Sequence, residues 1–146
     1  MTSYSPELEA AFRATVYRIE TPAGRFDLRV GQALPGAFAD WLAAQKLAFW
    51  GVVTAYNPAS RRLPDEINRQ ASVALFEAAS AAGWRAFPAC NLADAGDWPP
   101  EPGWLLLGGD EAGLCALAQG FAQVAVVCGA RGEAPRLHWV PARPAV

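Results

Sequence analysis

The run Phe49 to Ala55 is almost wholly apolar and stops abruptly at Tyr56-Asn57-Pro58, the start of a hydrogen-bonding cluster that extends to Arg62. An apolar run of this length predicts a strand covered on both faces, inside a sheet rather than at its edge. Such a strand cannot be satisfied locally, so the rest of the chain must supply paired neighbours and a layer of helices.

The flanking segments carry those signals. Ser5-Pro6-Glu7 reads as an N-cap, a first-turn proline and a carboxylate favoured by the helix dipole, opening a helix that runs to about Arg13. Thr15 to Glu20 and Arg25 to Val30 form a hairpin around Thr21-Pro22-Ala23-Gly24. Pro35 begins a helix with Phe38, Trp41, Leu42 and Gln45 on one face. Pro64-Asp65-Glu66 begins the longest helix, whose apolar stripe is Ile67, Ala71, Ala74, Leu75 and Ala78 and whose stop is Gly83. Short strands are expected at Trp84 to Pro88 and Trp104 to Gly108, separated by a long irregular loop from Asn91 to Gly103. Asp110 caps a helix bearing Leu114, Leu117, Ala118 and Phe121, Val124 to Cys128 is a second buried strand, and Arg136 to Val140 ends the sheet.

This order predicts an α/β or α+β single domain spanning residues 1–146, a mixed β-sheet of about six or seven strands covered by about three or four helices, with residues 141–146 as a flexible tail. At 146 residues the chain can bury a real core without disulfides or a structural metal. A composition 53% hydrophobic and 18% charged argues against disorder. The net charge of -2 gives no general attraction to phosphate backbones, so nucleic acid is not the expected partner. Three widely spaced cysteines without a CxxC pair read as buried reduced thiols. No run approaches the roughly 20 apolar residues that a membrane span needs, and the N-terminus lacks a basic region followed by an apolar core, so no membrane association and a cytoplasmic location are expected. Metal-ligand spacing, a nucleophile elbow, a Walker loop and a dinucleotide fingerprint are all missing, so no metal or cofactor is expected and no reaction is named.

If Phe49 to Ala55 and Trp84 to Pro88 run parallel, joined by the long helix, the loops after both leave the same end of the sheet, where ligands bind in open α/β folds. The first loop brings Tyr56, Asn57, Ser60, Arg61 and Arg62 to the start of a helix, where an anion is favoured. The second brings Asn91, Asp94, Asp97, Trp98 and Glu101. Each has a plainer reading. Asn57 before Pro58 initiates a turn; Arg61 and Arg62 form a solvated pair; Asn68 and Ser72, one helical turn apart, face solvent; Trp98 and Trp104 are buried anchors. His138, the single histidine, lacks an acidic neighbour in sequence and reads as a sheet residue rather than a base.

Taken in order, Thr54-Ala55-Tyr56-Asn57-Pro58 with Ser60, then Asn68, then Trp98 and Glu101, then Phe121-Ala122-Gln123 before Val124 to Val127, resemble the bacterial domain of unknown function 3293 family. The resemblance runs from about Tyr17 to Leu137. It implies positions rather than a reaction, because the family is uncharacterised, and it adds Gln123 to the candidates. Where the family pattern has a small hydroxyl residue after Trp-x-x-Glu-x, this chain has Gly103. The resulting expectation is a small polar or anionic ligand bound by Tyr56, Asn57, Ser60, Arg61, Arg62, Asn68, Trp98, Glu101 and Gln123. The alternative is a protein-interaction or homo-oligomeric assembly module using the aromatics and the edge at Arg136 to Val140.

Overall fold

The computed structural model describes residues 5–142. Ser5 caps the first helix, α1 (Pro6–Arg13), by accepting a hydrogen bond from Leu8 N–H. A hairpin, β1 (Thr15–Thr21) and β2 (Gly24–Leu28), leads to α2 (Gly36–Ala44) and the apolar strand β3 (Phe49–Val53). There follow α3 (Asp65–Ala81), β4 (Arg85–Ala93), β5 (Glu101–Leu107), α4 (Glu111–Gly120), β6 (Ala125–Ala130) and β7 (Arg136–Trp139). Together they make a single α+β domain.

The seven strands form one sheet in the order β2-β1-β4-β5-β3-β6-β7, and every adjacent pair is antiparallel. β3 and β4 nevertheless point the same way, since both are antiparallel to β5, which lies between them. The stretch from β3 to β6 is thus two interleaved split βαβ units with the βαββαβ connectivity of ferredoxin-like folds. The direction expected of β3 and β4 holds, and the antiparallel insertion between them is what sequence order alone did not show.

Alternation along the strands divides the core. Trp50, Val52, Leu105, Leu107 and Val127 face α2, packing with Phe38 and Leu42. Val53, Leu106, Val126 and Cys128 face α3 and α4, packing with Leu75, Ala79, Leu114 and Ala118. Gly51 permits that second contact, because a Cβ there would lie 2.3 Å from Leu114 Cδ2.

Two expectations need correction. β4 and β5 are longer than predicted, since Asn91 to Ala93 pair with β1 and Asn91 to Ala89 pair with Glu101 to Gly103, leaving only 94–100 as the connecting loop. Pro88 is tolerated inside β4 because the β1 ladder ends at Ala89 and asks no donor of it. On α3 the inward residues are Asn68, Leu75 and Ala79, whereas Ile67 is 50% exposed. Within the expected tail, Pro141 is fastened by its carbonyl, which accepts a hydrogen bond from Gln119 Nε2 at 3.0 Å, while residues 143–146 lie outside the described residues.

Candidate functional site

The loop after β3 turns sharply. Asn57 is left-handed (φ 49°, ψ 60°), and Ala59 and Ser60 also have positive φ values of 56° and 60°. Asparagine tolerates this region; alanine and serine adopt it only where surrounding bonds over-determine the backbone. Those bonds are present. Ala59 N–H donates to the Ala122 carbonyl at 2.7 Å, and Asn57 Oδ1 accepts from Leu63 N–H at 3.0 Å.

Asn68 locks the turn from α3. Its Oδ1 accepts from Asn57 N–H at 2.9 Å, and its Nδ2 donates to Asn57 Oδ1 at 2.9 Å and to the Leu63 carbonyl at 3.2 Å. Both asparagines are buried, at 4% and 2% exposure. The remaining donor, Asn57 Nδ2, reaches Glu101 Oε2 at 2.6 Å. The turn-forming reading of Asn57 and its placement beside Glu101 are therefore both true of one side chain.

Glu101 opens β5 beside its cross-strand partner Asn91, which in turn pairs with Tyr17 on β1. Trp98 Nε1 donates to the same Glu101 Oε2 at 3.1 Å. Both donors are neutral. Burial pushes the Glu101 carboxyl above the usual range, against the opposing pull of the Asn57 and Trp98 hydrogen bonds. Oε1 receives no hydrogen bond from the described residues.

Above this carboxyl lies a cleft of about 420 Å³, walled by α1 through Leu8 and Phe12, by Tyr17, by the loop after β3 and by the 94–98 loop. Of the sequence candidates, Tyr56, Asn57, Ser60, Trp98, Glu101 and Gln123 line it. Asn68 stands behind Asn57. Arg61 and Arg62 are exposed and outside the lining, as is Asp97. Gln123 Nε2 donates to the Tyr56 and Phe121 carbonyls at 3.2 and 3.3 Å, so its amide ties the loop after β3 to the end of α4. Thr54 Oγ1 donates to the Pro102 carbonyl at 2.7 Å and accepts from Tyr56 N–H at 3.0 Å, fixing the rim between β3 and β5. Asp94 also lines the cleft, but Arg29 grips both its oxygens at 2.8 Å and holds its carboxyl below the usual range. Among the described residues the lining contains no Arg, Lys or His. At Gly103 a Cβ would lie 2.5 Å from the Val53 carbonyl oxygen, so the close approach of β5 to β3 accounts for the missing side chain. The α1 wall was not foreseen, because Leu8 and Phe12 carry no chemistry that marks a cleft.

On the opposite face of the sheet a second polar group forms around Glu111. Its Oε1 lies 2.5 Å from Arg136 Nη1 and 3.2 Å from His138 Nδ1, and Cys128 Sγ approaches it at 3.9 Å. The histidine thus has an acidic neighbour supplied by the fold, away from the cleft. Among the described residues no three His, Cys, Asp or Glu side chains are grouped to hold a metal ion, and no helix is long and apolar enough to cross a membrane.

A family model described as "Protein of unknown function (DUF3293)" matches residues 53–126, just over half of the 146-residue chain. The chain belongs to the DUF3293 family. The DUF3293 stretch begins at the end of β3 and closes in β6, so it contains Asn57, Asn68, Trp98, Glu101 and Gln123, whereas the α1 wall lies outside it. No match was found among curated proteins or among solved structures.

Proposed function

We propose that the cleft over Glu101 binds a small polar ligand. The observation that carries this reading is a largely buried carboxyl held on one oxygen by two neutral donors, with its second oxygen given no donor by the described residues, at the floor of a cleft of about 420 Å³. Buried ionisable groups are normally paired, and the described residues of the lining provide no cation to pair with this one. The volume falls within the range of metabolite sites, roughly 300–1,000 Å³. Of the polar and anionic ligands suggested by sequence, the polar one is favoured, because Asp94 and Glu101 line the cleft and Arg61 and Arg62 do not. A carboxyl held above its ordinary range is also suited to moving protons, which makes Glu101 the catalytic candidate if the bound ligand is turned over.

The test is a metabolite library screened by thermal shift against wild type and Glu101→Gln. The expected result is a compound that raises the Tm of wild type and fails to raise that of the variant. Hits that stabilise both proteins equally would place the ligand elsewhere.

Self-assembly remains the second reading, favoured by β7 standing outermost in the sheet and by the exposure of Ile67, Val73 and Phe76 on α3. Light scattering across a concentration series separates the two; a mass fixed at one chain removes the assembly reading.

A further inference from the structure

Resting on the binding reading above, we propose that the ligand is an organic cation, an ammonium or guanidinium group on an apolar or aromatic body. The head group would pair with Glu101 Oε1, and the body would lie among Phe12, Tyr17, Tyr56 and Trp98.

Charge is the first argument. Of the two carboxylates in the lining, Asp94 is already neutralised by Arg29, while Glu101 has only Asn57 and Trp98, neither of which carries charge. Among the described residues the cleft is therefore one positive charge short whenever Glu101 is ionised, and desolvation by the surrounding wall makes an approaching cation the strongest available partner. Next to it in the same cross-strand row, Asn91 Oδ1 is buried without a hydrogen-bond donor, so acceptors outnumber donors on this floor.

The walls make the second argument. Four aromatic side chains share the lining with the one carboxyl that has no cationic partner among the described residues, and aromatic faces attract cations through their ring quadrupoles while offering nothing comparable to a carboxylate or phosphate. Trp98 is 40% exposed even while its indole N–H is held by Glu101, leaving ring surface for an incoming group. An anionic ligand would meet Glu101 with no basic side chain among the described residues of the lining to offset it.

Three probes with one phenolic body and different heads decide the matter: tyramine, 4-ethylphenol and 3-(4-hydroxyphenyl)propanoate. Agmatine and choline, added to the series, distinguish an N–H donor head from a purely cationic one. Binding is read by calorimetry and by the indole N–H resonance of Trp98, assigned with Trp98→Phe, using the full chain, Glu101→Gln and the cleft-obstructing Ala95→Trp. The expected result is that tyramine or agmatine binds and moves the Trp98 resonance, and that the propanoate and ethylphenol do not. Glu101→Gln, which keeps the side-chain shape and one acceptor oxygen for Asn57 and Trp98 but removes the charge and puts an amide NH2 where Oε1 stood, should weaken the amine by about tenfold or more. Binding of the propanoate or ethylphenol without the amines, lost in Ala95→Trp, would overturn the cation class while leaving the cleft as a binding site. Amine binding unchanged in Glu101→Gln, or no response to any cation, would overturn the proposal; library hits that depend on Glu101 would then still uphold the cleft itself.

Discussion

Glu101 and Glu111 open successive elements on opposite faces of one sheet, and each gathers polar partners, yet their carboxyls are driven in opposite directions. Glu111 lies against the Arg136 guanidinium and is held below the usual range by it, with His138 and the Cys128 thiol alongside. Burial raises that thiol to about 11. Glu101 has neutral donors and an enclosing wall, and burial raises it. The difference separates a polar group that is complete from one that is not. Around Glu111 the protein supplies its own counter-charge and little is left to attract a ligand; around Glu101 the counter-charge is missing and a cleft gives access.

The comparison can be broken most forcefully at Asn68. Asn68→Ala removes the partner of Asn57 N–H and a donor from the Leu63 carbonyl and from Asn57 Oδ1, which keeps only Leu63 N–H, and should lower stability by about 2–4 kcal/mol in urea unfolding, because buried groups left unpaired carry their full desolvation cost. A loss below about 1 kcal/mol would mean that the Glu101 side is no more tightly built than an exposed ion pair. Gly103→Ser comes next, at about 1–3 kcal/mol, since its Cβ would sit 2.5 Å from the Val53 carbonyl oxygen and force β5 from β3.

The pH dependence sharpens the contrast without requiring a large effect. Glu101, with its folded pKa above the ordinary 4.5, contributes stability that is present below that value and lost as pH rises through the folded pKa. Glu111, with its folded pKa below 4.5, contributes stability that is present above that value and lost as pH falls through the folded pKa. Relative to wild type, Glu101→Gln should therefore gain stability as pH rises above 4.5, whereas the deficit of Glu111→Gln should shrink as pH falls below it. Unfolding curves across that interval that move in the same sense for both variants would abolish the distinction. The smallest effect is expected at Arg136→Gln, about 1 kcal/mol or less by the same unfolding measurement, because the pair is partly exposed and its loss strands no deeply buried group.

Local chemistry made much of this legible. Ser5 and Asp110 cap helices where their side chains suggested they would, and the apolar run at Phe49 became an interior strand. The differences share a cause, because neither hydrophobicity nor proline, taken along the chain, reveals the partners that decide its place. Asn68 lies inside and Ile67 outside because the buried amide has Asn57 and Leu63 to replace water, an exchange invisible in α3 alone. Pro88 marks the expected end of its strand and Pro102 falls in the expected loop, but they pair with Trp104 and Cys90 within a continuous ladder. The meeting of Asn57 with Glu101 was foreseeable from the shared direction of β3 and β4. Its chemical character was not, because Arg61 and Arg62 follow Asn57 by only four and five residues yet are absent from the lining of the cleft.

The insertion of β5 between β3 and β4 also governs how the chain assembles. β3 finds its two partners only in β5 and β6, far along the chain, so the sheet cannot zip up in order and should fold on the slower side for its size. Until Ala125 to Ala130 emerges from the ribosome, one edge of the most apolar strand stands open, and crowding or delay at that point would favour aggregation over the native pairing.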